Sequence, residues 1–260
     1  MTSGIPQGRR TGGLVSAVLS LAAFLALWAI VAALVAEPIT MPGPMKVGTV
    51  LMDELASGRL ISHTGITLLR VIAAFVVAMA IGVALGLVLG RSRTTDTWVN
   101  PWLVILVNMP ALVVTVLCYI WIGLNEVAAV AAVVINKVPL VTVMVREGAR
   151  ALRPDLDDMA RIFRMTPSAR LRHVVLPQMA PYIAGAARAG LSLIWKIVLV
   201  VEFLGRSSGV GFQIHLNFSM FRVAHILAYA FAFILVMLVI EYLILRPLER
   251  HAGRWRQDGH

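Results

Sequence analysis

Long apolar runs alternate with short polar segments along the whole chain. Six runs predict membrane-spanning helices, because each approaches or exceeds the roughly 18 apolar residues that a span needs. They cover about residues 14–36, 66–90, 98–122, 126–145, 181–204 and 224–245, and Pro110 interrupts the third. The pattern therefore predicts an all-α, polytopic bundle of six transmembrane helices, in which residues 1–260 form one domain.

The polar segment 37–64 contains a second, shorter helical pattern. After an extended, proline-rich entry, apolar residues recur at helical spacing over Val47, Val50, Leu51 and Leu55. This spacing predicts an amphipathic helix outside the membrane. Two placements remain open: a cap on the bundle, or a helix lying in the membrane interface.

The longest polar segment, 146–180, is also patterned as helix. Pro154 suits the first position of one short helix, and Thr166 followed by Pro167 predicts the start of a second. Pro177 predicts the end of that second helix. One face of the first helix is apolar, with Leu156, Met159, Ala160 and Phe163, and Asp155, Asp157 and Asp158 lie near its N-terminus. Such a pair either packs on its own bundle or forms a docking surface for a partner.

Charge supports a membrane orientation rather than nucleic-acid binding. The chain is 59% hydrophobic and only 14% charged, with a net charge of +10. With the N-terminus inside, 15 of the 23 Lys and Arg residues fall in cytoplasmic segments and four fall outside. Basic residues collect in cytoplasmic loops. We therefore predict both termini in the cytoplasm, an even number of spans, and no nucleic-acid partner.

Three sequence motifs carry a resemblance to a known family. They are "DMARIFR" at 158–164 followed by "VVLP" at 174–177, "AARAGLSLIW" at 186–195, and "VVEFLGRSSGVGF" at 200–212. Over about residues 60–245 the chain resembles the permease subunits of ATP-binding-cassette importers, and within them the nitrate, sulfonate and taurine group. The family signature is E-A-A-x-x-x-G, with I-x-L-P nine residues later, and the spacing here agrees.

The resemblance assigns a role to the segment 146–180. It implies that the two short helices insert into a cleft on an ATPase subunit and couple ATP hydrolysis to transport. The implied coupling residues are those of the two helices and the L-P pair: Asp157, Asp158, Met159, Ala160, Phe163, Arg164, Met165, Thr166, Pro167, Leu176 and Pro177. Three of these depart from the signature: Asp158 replaces Glu, Met159 replaces Ala, and Arg164 replaces Gly.

The resemblance also implies the partners of the chain. They are two ATPase subunits, a second permease copy in a homodimer, a periplasmic solute-binding protein, and the lipid bilayer of the bacterial inner membrane. The chain contains no G-x-x-x-x-G-K-[ST] loop, which is the direct signal of a nucleotide-binding subunit. We therefore predict a transport subunit that is not an enzyme and binds no cofactor itself, with ATP and Mg²⁺ on the partner ATPase.

Ionisable residues inside the predicted spans are candidates for the solute pathway, because burying a charge in lipid is costly. Lys137 and Lys196 fall at similar predicted depths, where two cations would attract an anion. Glu202, Asn136 and Trp195 complete the candidate pathway. Alternatively, each lysine pairs with a carboxylate, with Glu202 the obvious partner, or extends to the membrane surface. Arg188 is predicted to be structural.

Two further features have open interpretations. Gly82, Gly86 and Gly90 recur every four residues and share one helix face, which permits close approach of either another helix of this chain or another subunit. The lone Cys118 excludes an intrachain disulfide, and no histidine spacing suggests a metal site. A small anionic solute is the predicted cargo; an aromatic carboxylate or a heterocyclic vitamin precursor is the alternative.

Two competing function classes lack support in the sequence. A secondary carrier would need an intramembrane ion site and no docking segment, whereas residues 146–180 are patterned as one. A membrane-embedded enzyme would need converging nucleophiles, paired carboxylates or metal ligands at membrane depth. The predicted spans contain too few such residues.

Overall fold

The computed structural model describes residues 10–245 and Pro247. Arg9, Arg246, Arg250, Arg254 and Arg256, which contribute to the predicted orientation, lie outside the described residues. Within the described part the structure is helical, which confirms the all-α prediction. Its helices are α1 (Arg10–Val35), α2 (Pro44–Ala56), α3 (Arg59–Arg91), α4 (Arg93–Asn108), α5 (Ala111–Ile122), α6 (Glu126–Arg150), α7 (Pro154–Ile162), α8 (Pro167–Arg170), α9 (Leu176–Gly205), α10 (Val210–Ser219) and α11 (Val223–Ile240).

Five helices of the described chain are long and apolar enough to cross a membrane. They contain α1, α3, α6, α9 and α11. The successive helices α4 and α5 make a sixth span if they are counted together, although they meet at a bend of 97°. The break lies at Met109 and Pro110, where the sequence predicted it, because proline cannot donate the next helical hydrogen bond. Five of the six predicted spans are thus found, and the third is a sixth only if α4 and α5 are counted as one broken span.

Helices α3, α6 and α9 form the centre of the bundle. The glycines of α3 lie directly against α6 in parallel register: Gly82 faces Val141, Gly86 faces Val145, and Gly90 faces Ala149. A Cβ added at Gly86 would lie 2.6 Å from the Cβ of Val145 and 2.8 Å from the carbonyl oxygen of Thr142. The glycine face therefore serves packing within the chain, which decides between the two interpretations left open by the sequence.

We expect Gly86→Ala to destabilise the permease by about 1–3 kcal/mol, because the new methyl group overpacks a backbone contact. Gly65→Ala is the matched control in the same helix, since a Cβ there meets no atom within 4 Å. The control gains helix propensity and should be neutral or stabilising by up to about 1 kcal/mol. Thermal unfolding of the two variants in detergent measures the difference. Equal melting temperatures would contradict the close α3–α6 contact.

The prediction that Pro177 ends a helix is wrong. A π-helical turn over Leu171–Val175 joins α8 to α9, and the Leu176 N–H donates to the carbonyl of Leu171. Residues Pro167–Gly205 thus form one continuous helix of 39 residues. The wider turn accommodates a proline that lacks the N–H of a regular helix. The short helix predicted after Thr166 is therefore the first turn of the fifth span.

The predicted amphipathic helix is present as α2 and caps the bundle. Gly43 precedes it and Pro44 occupies its first turn. Val47 and Val50 are buried against Ala228 of α11. Buried Glu54 accepts hydrogen bonds from Arg59 at 2.7 Å and from the hydroxyl of Tyr229 at 2.7 Å. Of the two placements predicted from the sequence, the structure therefore has the cap on the bundle.

The short helix α10 was not predicted from the sequence. It follows α9 after a turn at Arg206–Gly209 and packs against α9, α3 and α11. We call the end of the bundle with α2 and α10 the α2 end, and the opposite end, with α7 and α8, the α7 end.

Candidate functional site

At the α7 end, α7 and α8 follow one another between the end of α6 and the start of α9. Pro154 occupies the first turn of α7, and the backbone N–H of Arg153 donates to Oε1 of Gln178 at 3.1 Å, which ties the start of α7 to the start of α9. Thr166 caps α8 by accepting a hydrogen bond from the Ala169 N–H at 3.3 Å, with Pro167 next. The helix starts predicted at Pro154 and Thr166 are confirmed.

Arg164 forms the turn between the two helices in a left-handed conformation, with φ of 49°. The preceding turn of α7 closes around it: the Met165 N–H donates to the carbonyl of Ala160 at 3.0 Å, and the Arg164 N–H to the carbonyl of Arg161 at 2.9 Å. This is the αL helix ending that glycine usually forms. Arg164, which replaces the glycine of the family signature, thus occupies a position whose backbone conformation favours glycine.

We expect Arg164→Gly to stabilise the end of α7 by about 1 kcal/mol, because a side chain in the left-handed region costs roughly 1–2 kcal/mol. Amide hydrogen exchange of residues in α7 should then slow about fivefold. Arg161→Gly is the control, since Arg161 lies within the helix and glycine there costs about 1 kcal/mol. Faster exchange in Arg164→Gly would contradict the strained turn.

The apolar side chains of α7 divide between the chain's interior and solvent. Ala160 is buried, with 1% of its surface exposed. Ile162 and Phe163 are 79% and 74% exposed, and Met159 is 41% exposed. Of the apolar face predicted for this helix, Ala160 is therefore buried, whereas Met159 and Phe163 are exposed. We call Met159, Ile162 and Phe163 the exposed edge of α7. The exposed edge leaves large apolar side chains with nothing of this chain to cover them.

The polar coupling candidates are solvent-facing. Asp158 is exposed and lies 3.8 Å from Arg161 in a loose ion pair. The side chain of Asp157 is not among the described ones. Leu176 is 39% exposed at the start of α9, beside Pro177. The structure thus places Asp158 and Met159 on α7 and Phe163 at its C-terminal cap. Leu176 and Pro177 lie on the continuous helix that follows.

Lys137 is a buried cation in α6. It is 9% exposed, and within the described residues it forms no ion pair with a carboxylate. Its neighbour Asn136 donates to the carbonyl of Met109 at 3.4 Å, so both lie at the level of the break between α4 and α5. Irregular backbone at membrane depth is tolerated where protein buries it or a wet cavity adjoins it. Lys137 therefore sits beside the bend between α4 and α5.

Lys196 lies at a similar level on α9 but on another face. Val141 contacts the position of Gly190, which fixes the register of the antiparallel helices α6 and α9. From this contact, Lys137 is about 6 Å and Lys196 about 9 Å toward the α2 end at 1.5 Å per residue. Lys196 is exposed on the single chain, with Nζ 5.6 Å from the ring centroid of Trp195. The two lysines therefore lie at a similar depth in the bundle but on different faces of it.

Glu202 is fully buried, and its partner is an arginine rather than either lysine. Its Oε1 accepts from Nη1 of Arg70 at 2.7 Å, and its Oε2 accepts from the Thr67 hydroxyl at 2.9 Å and from the Gly211 N–H at 2.8 Å. Neither Lys137 nor Lys196 bonds to it. The carboxylate thus joins α3, α9 and α10 at the α2 end.

Arg70 extends this network to α6 and to the turn before α10. It donates to both carboxylate oxygens of Glu126, at 2.7 and 2.8 Å, and to the carbonyl of Ser208 at 2.7 Å. Arg206 also pairs with Glu126. We call Thr67, Arg70, Glu126, Glu202 and Arg206 the α2-end network.

The turn at Gly209 fits the network closely. Gly209 has φ of +106°, and an added Cβ would overlap the Glu202 carboxylate. Its N–H donates to Nδ1 of His63 at 3.0 Å, and the Val210 N–H donates to the Thr67 hydroxyl at 2.8 Å. The residues of the α2-end network thus all help to hold the turn before α10 in place.

The sequence identified only Glu202 of the α2-end network as a candidate. It did not identify the other members, Thr67, Arg70, Glu126 and Arg206, or His63, which binds the turn at Gly209. The signal for Arg70 was present, because an arginine within a predicted span needs a partner. Nothing in the spacing tells which of several distant carboxylates supplies it. Arg188, predicted to be structural, lies 3.5 Å from Glu241 at the end of α11. Among the described residues, no group of three metal-ligating side chains is placed to hold a metal ion.

Comparison with known proteins gives one family. Residues 78–246 match the family described as binding-protein-dependent transport system inner membrane component. The chain is 28% identical to the putative aliphatic sulfonates transport permease protein SsuC of Bacillus subtilis strain 168, over 96% of this chain and 91% of that protein. It is 27% identical to the bicarbonate transport system permease protein CmpB of Synechococcus elongatus, over 82% and 80%.

Solved structures agree on the fold. The MetNI methionine ABC transporter in an inward-facing conformation superposes with a TM-score of 0.63 at 17% identity, over 72% of this chain and 93% of that chain. An amino acid ABC transporter crystallised with histidines gives a TM-score of 0.63 at 21% identity, over 77% and 97%. The bundle thus has the fold of permeases from importers of this type.

Proposed function

The chain belongs to the family of binding-protein-dependent transport system inner membrane components, the permease subunits of ABC importers, and we propose that it imports a small anionic solute driven by ATP. Two separate ATPase subunits hydrolyse the ATP, and a periplasmic binding protein delivers the solute. Two copies of the chain form the pathway in the bacterial inner membrane. The chain binds no cofactor itself, and both its termini lie in the cytoplasm.

The observation that carries the proposal is the exposed edge of α7. Ile162 and Phe163 lie at the position of the family's coupling signature, at the end of the short helix that follows α6. An apolar edge of this kind needs a groove on a partner. The ATPase subunit is that partner, and α7 with the start of α9 moves with it.

Transport then follows as alternating access. ATP binding draws the two ATPase subunits together, and α7 transmits this movement to α6 and α9 at either side of it. The bundles open toward the binding protein and accept the solute, and hydrolysis returns them to the inward-open state. A ligand shifts such an equilibrium only by binding one state more tightly than the other. The permease performs no covalent chemistry.

An anionic cargo is supported by two observations. Lys137 is a buried cation with no carboxylate partner among the described residues, and Lys196 lies at a similar depth. Two relatives are named for aliphatic sulfonates and for bicarbonate, which are anions. We assign Lys137, Lys196, Asn136 and Trp195 to the solute pathway. We also assign Glu202 to the pathway, as the residue that holds the part of α9 near the α2 end in position.

The test is ATP-dependent uptake by proteoliposomes that contain the permease with its co-purified ATPase and binding protein. We expect uptake of one labelled anion from a panel of ethanesulfonate, nitrate and bicarbonate. Uptake that continues without ATP would contradict the proposal, as would uptake of neutral solutes alone.

Replacing the buried lysine tests its role. We expect Lys137→Met to lower anion uptake about tenfold, which corresponds to about 1.4 kcal/mol of lost attraction. The melting temperature should stay equal or rise, because a buried unpaired charge is replaced by an apolar chain of similar length. Lys46→Met in α2, on the exposed surface, is the control and should transport normally. Unchanged uptake by Lys137→Met would remove Lys137 from the pathway.

A further inference from the structure

A buried guanidinium ties α4 to the last turns of α6. Arg146 is 8% exposed, and its Nη1 donates to Oδ1 of Asp96 at 3.0 Å and to Oδ1 of Asn100 at 2.6 Å. Asp96 also pairs with Arg150, one turn further along α6. Glu147 accepts from Nε of Arg146 at 3.1 Å and from Nη1 of Arg150 at 3.2 Å. We call Asp96, Asn100, Arg146, Glu147 and Arg150 the α4–α6 clamp.

The charges of the α4–α6 clamp balance, so it joins two helices without leaving a free cation. Each of its two arginines contacts both of its carboxylates. A buried network of this kind is often worth no more in stability than apolar contacts of similar volume. What it adds is geometric specificity, because each hydrogen bond fixes a direction as well as a distance.

The α4–α6 clamp holds each helix at two points. Arg146 contacts Asp96 and Asn100, which lie one turn apart on the same side of α4. Asp96 in turn contacts Arg146 and Arg150, which lie one turn apart on α6. A single ion pair would let α4 pivot about it, whereas these paired contacts oppose both rotation and sliding. A movement of the end of α6 is therefore passed on to the first two turns of α4.

Helix α4 has little else to hold it. It packs on α3 and α6, and within Arg93–Asn108 Leu103 is the one buried residue. At its far end α4 stops at the break, where Nδ2 of Asn136 donates to the carbonyl of Met109 at 3.4 Å. Helix α4 is thus a rod that the clamp attaches to α6 at one end and that lies beside Lys137 at the other.

The α4–α6 clamp also lies close to α7. Helix α6 ends at Arg150, and only residues 151–153 separate it from the start of α7 at Pro154. From Asp96 to Asn108, α4 extends about 18 Å toward the break. The clamp therefore stands between the helix assigned to ATPase coupling and the break beside Lys137.

We propose that Arg146 is a positioning residue for transport, which passes the movement of α7 through Asp96 to α4. The break at Met109 and Pro110 then moves in step with Lys137. The proposal rests on the proposed function, in which the ATPase moves α7 and the solute passes Lys137. Without the clamp, α7 and α6 still follow the ATPase but α4 does not follow α6. ATP is then hydrolysed while little solute is imported.

A merely structural role for Arg146 gives a different result. It would lower the melting temperature and the amount of folded transporter. It would leave the amount of solute imported per ATP unchanged in the molecules that fold. This ratio separates the two roles, because it does not depend on how much of the transporter is folded.

Proteoliposomes that contain the permease with its co-purified ATPase and binding protein measure the ratio. The solute is the anion that the wild type imports from the panel of ethanesulfonate, nitrate and bicarbonate. Asp96→Leu/Arg146→Met replaces the buried ion pair by two apolar side chains, which should preserve the fold, and it leaves Arg150 paired with Glu147. We expect ATP hydrolysis within about twofold of the wild type and about tenfold less anion imported per ATP, as for residues between coupled sites.

A milder variant and a matched control complete the test. Asn100→Leu removes one contact of Arg146 and leaves every ion pair of the clamp in place, so it should lower the ratio about threefold. The control is Arg188→Met/Glu241→Leu, which removes an ion pair of 3.5 Å between α9 and the residue after α11. It should keep the wild-type ratio, because it does not touch α4.

An unchanged ratio in both clamp variants would overturn the proposal, and so would an equal fall in the control. Loss of ATPase stimulation and uptake together, at an unchanged ratio, would assign the clamp to ATPase docking instead. The proposed function fails on another result, a wild type that imports no anion when ATP is supplied, and the role of Arg146 then fails with it. A wild type that transports, with clamp variants that match it, rejects the role of Arg146 alone.

Discussion

Replacing Arg70 by methionine is expected to destabilise the permease by about 3–5 kcal/mol, the cost of breaking a buried ion pair from one side. Glu202 is 0% exposed, and without Arg70 it retains only the Thr67 hydroxyl and the Gly211 N–H. A charge left in that position loses its compensation in a medium of low dielectric constant. The turn before α10 also loses its tie to the guanidinium through Ser208.

Unfolding in SDS, followed by tryptophan fluorescence, measures this loss. The control is Arg222→Met, which removes an exposed arginine at the same end of the bundle. It should change stability by no more than about 0.5 kcal/mol, as surface substitutions do. The double variant Arg70→Met/Glu202→Gln should recover part of the lost stability, because it removes the unpaired charge. A single variant as stable as the control would contradict the buried pair.

Replacing Phe163 by alanine is expected to weaken binding of the ATPase subunit about 30-fold, the effect of losing about 2 kcal/mol at an interface hot spot. Phe163 is 74% exposed in the chain and holds no other part of it together. The variant should therefore fold normally. Stimulation of ATP hydrolysis by the permease should fall in parallel.

Phe218→Ala is the matched control for this effect. Phe218 is 60% exposed at the α2 end, far from α7 along the bundle. It should leave both the affinity for the ATPase and the stimulation unchanged. Affinity that is unchanged in Phe163→Ala, or reduced equally in both variants, would contradict docking through α7.

The spans and the α7–α8 segment were predictable because local chemistry determines them. Apolar runs longer than 18 residues have few alternatives to a spanning helix. The starts at Pro154 and Thr166 depend on residues within one turn, and both appear in the structure. The break at Pro110 follows from the geometry of proline alone.

What escaped prediction depends on distant contacts or on backbone detail. The partner of Glu202 is Arg70, 132 residues away, and only the packing of α3 on α9 selects it over Lys196. Helix α10 was not predicted, because it is short and its position depends on the turn at Gly209. Pro177 misled because a π-helical turn lets the helix continue, and no residue type marks such a turn.

For the α3 glycines and the two lysines, too, the sequence predicts one part of the arrangement and only the structure shows the other. Spacing placed Gly82, Gly86 and Gly90 on one face, but only the structure shows that α6 covers it. Spacing also predicted the similar depth of Lys137 and Lys196. Their faces depend on how α6 and α9 are rotated in the bundle, which periodicity of this apolar sequence does not reveal.

Cross-linking from α7 tests the central claim, that a separate ATPase drives this permease through α7. Ile162→Cys would carry a photoactivatable maleimide in membranes that contain the whole transporter. Cys118, the only native cysteine, is 4% exposed and should not compete for the reagent. We expect one cross-linked product with the ATPase subunit, with a yield that changes on adding ATP. Phe218→Cys should give no such product. A permease that cross-links to no ATPase from Ile162→Cys, yet still transports, would contradict the account.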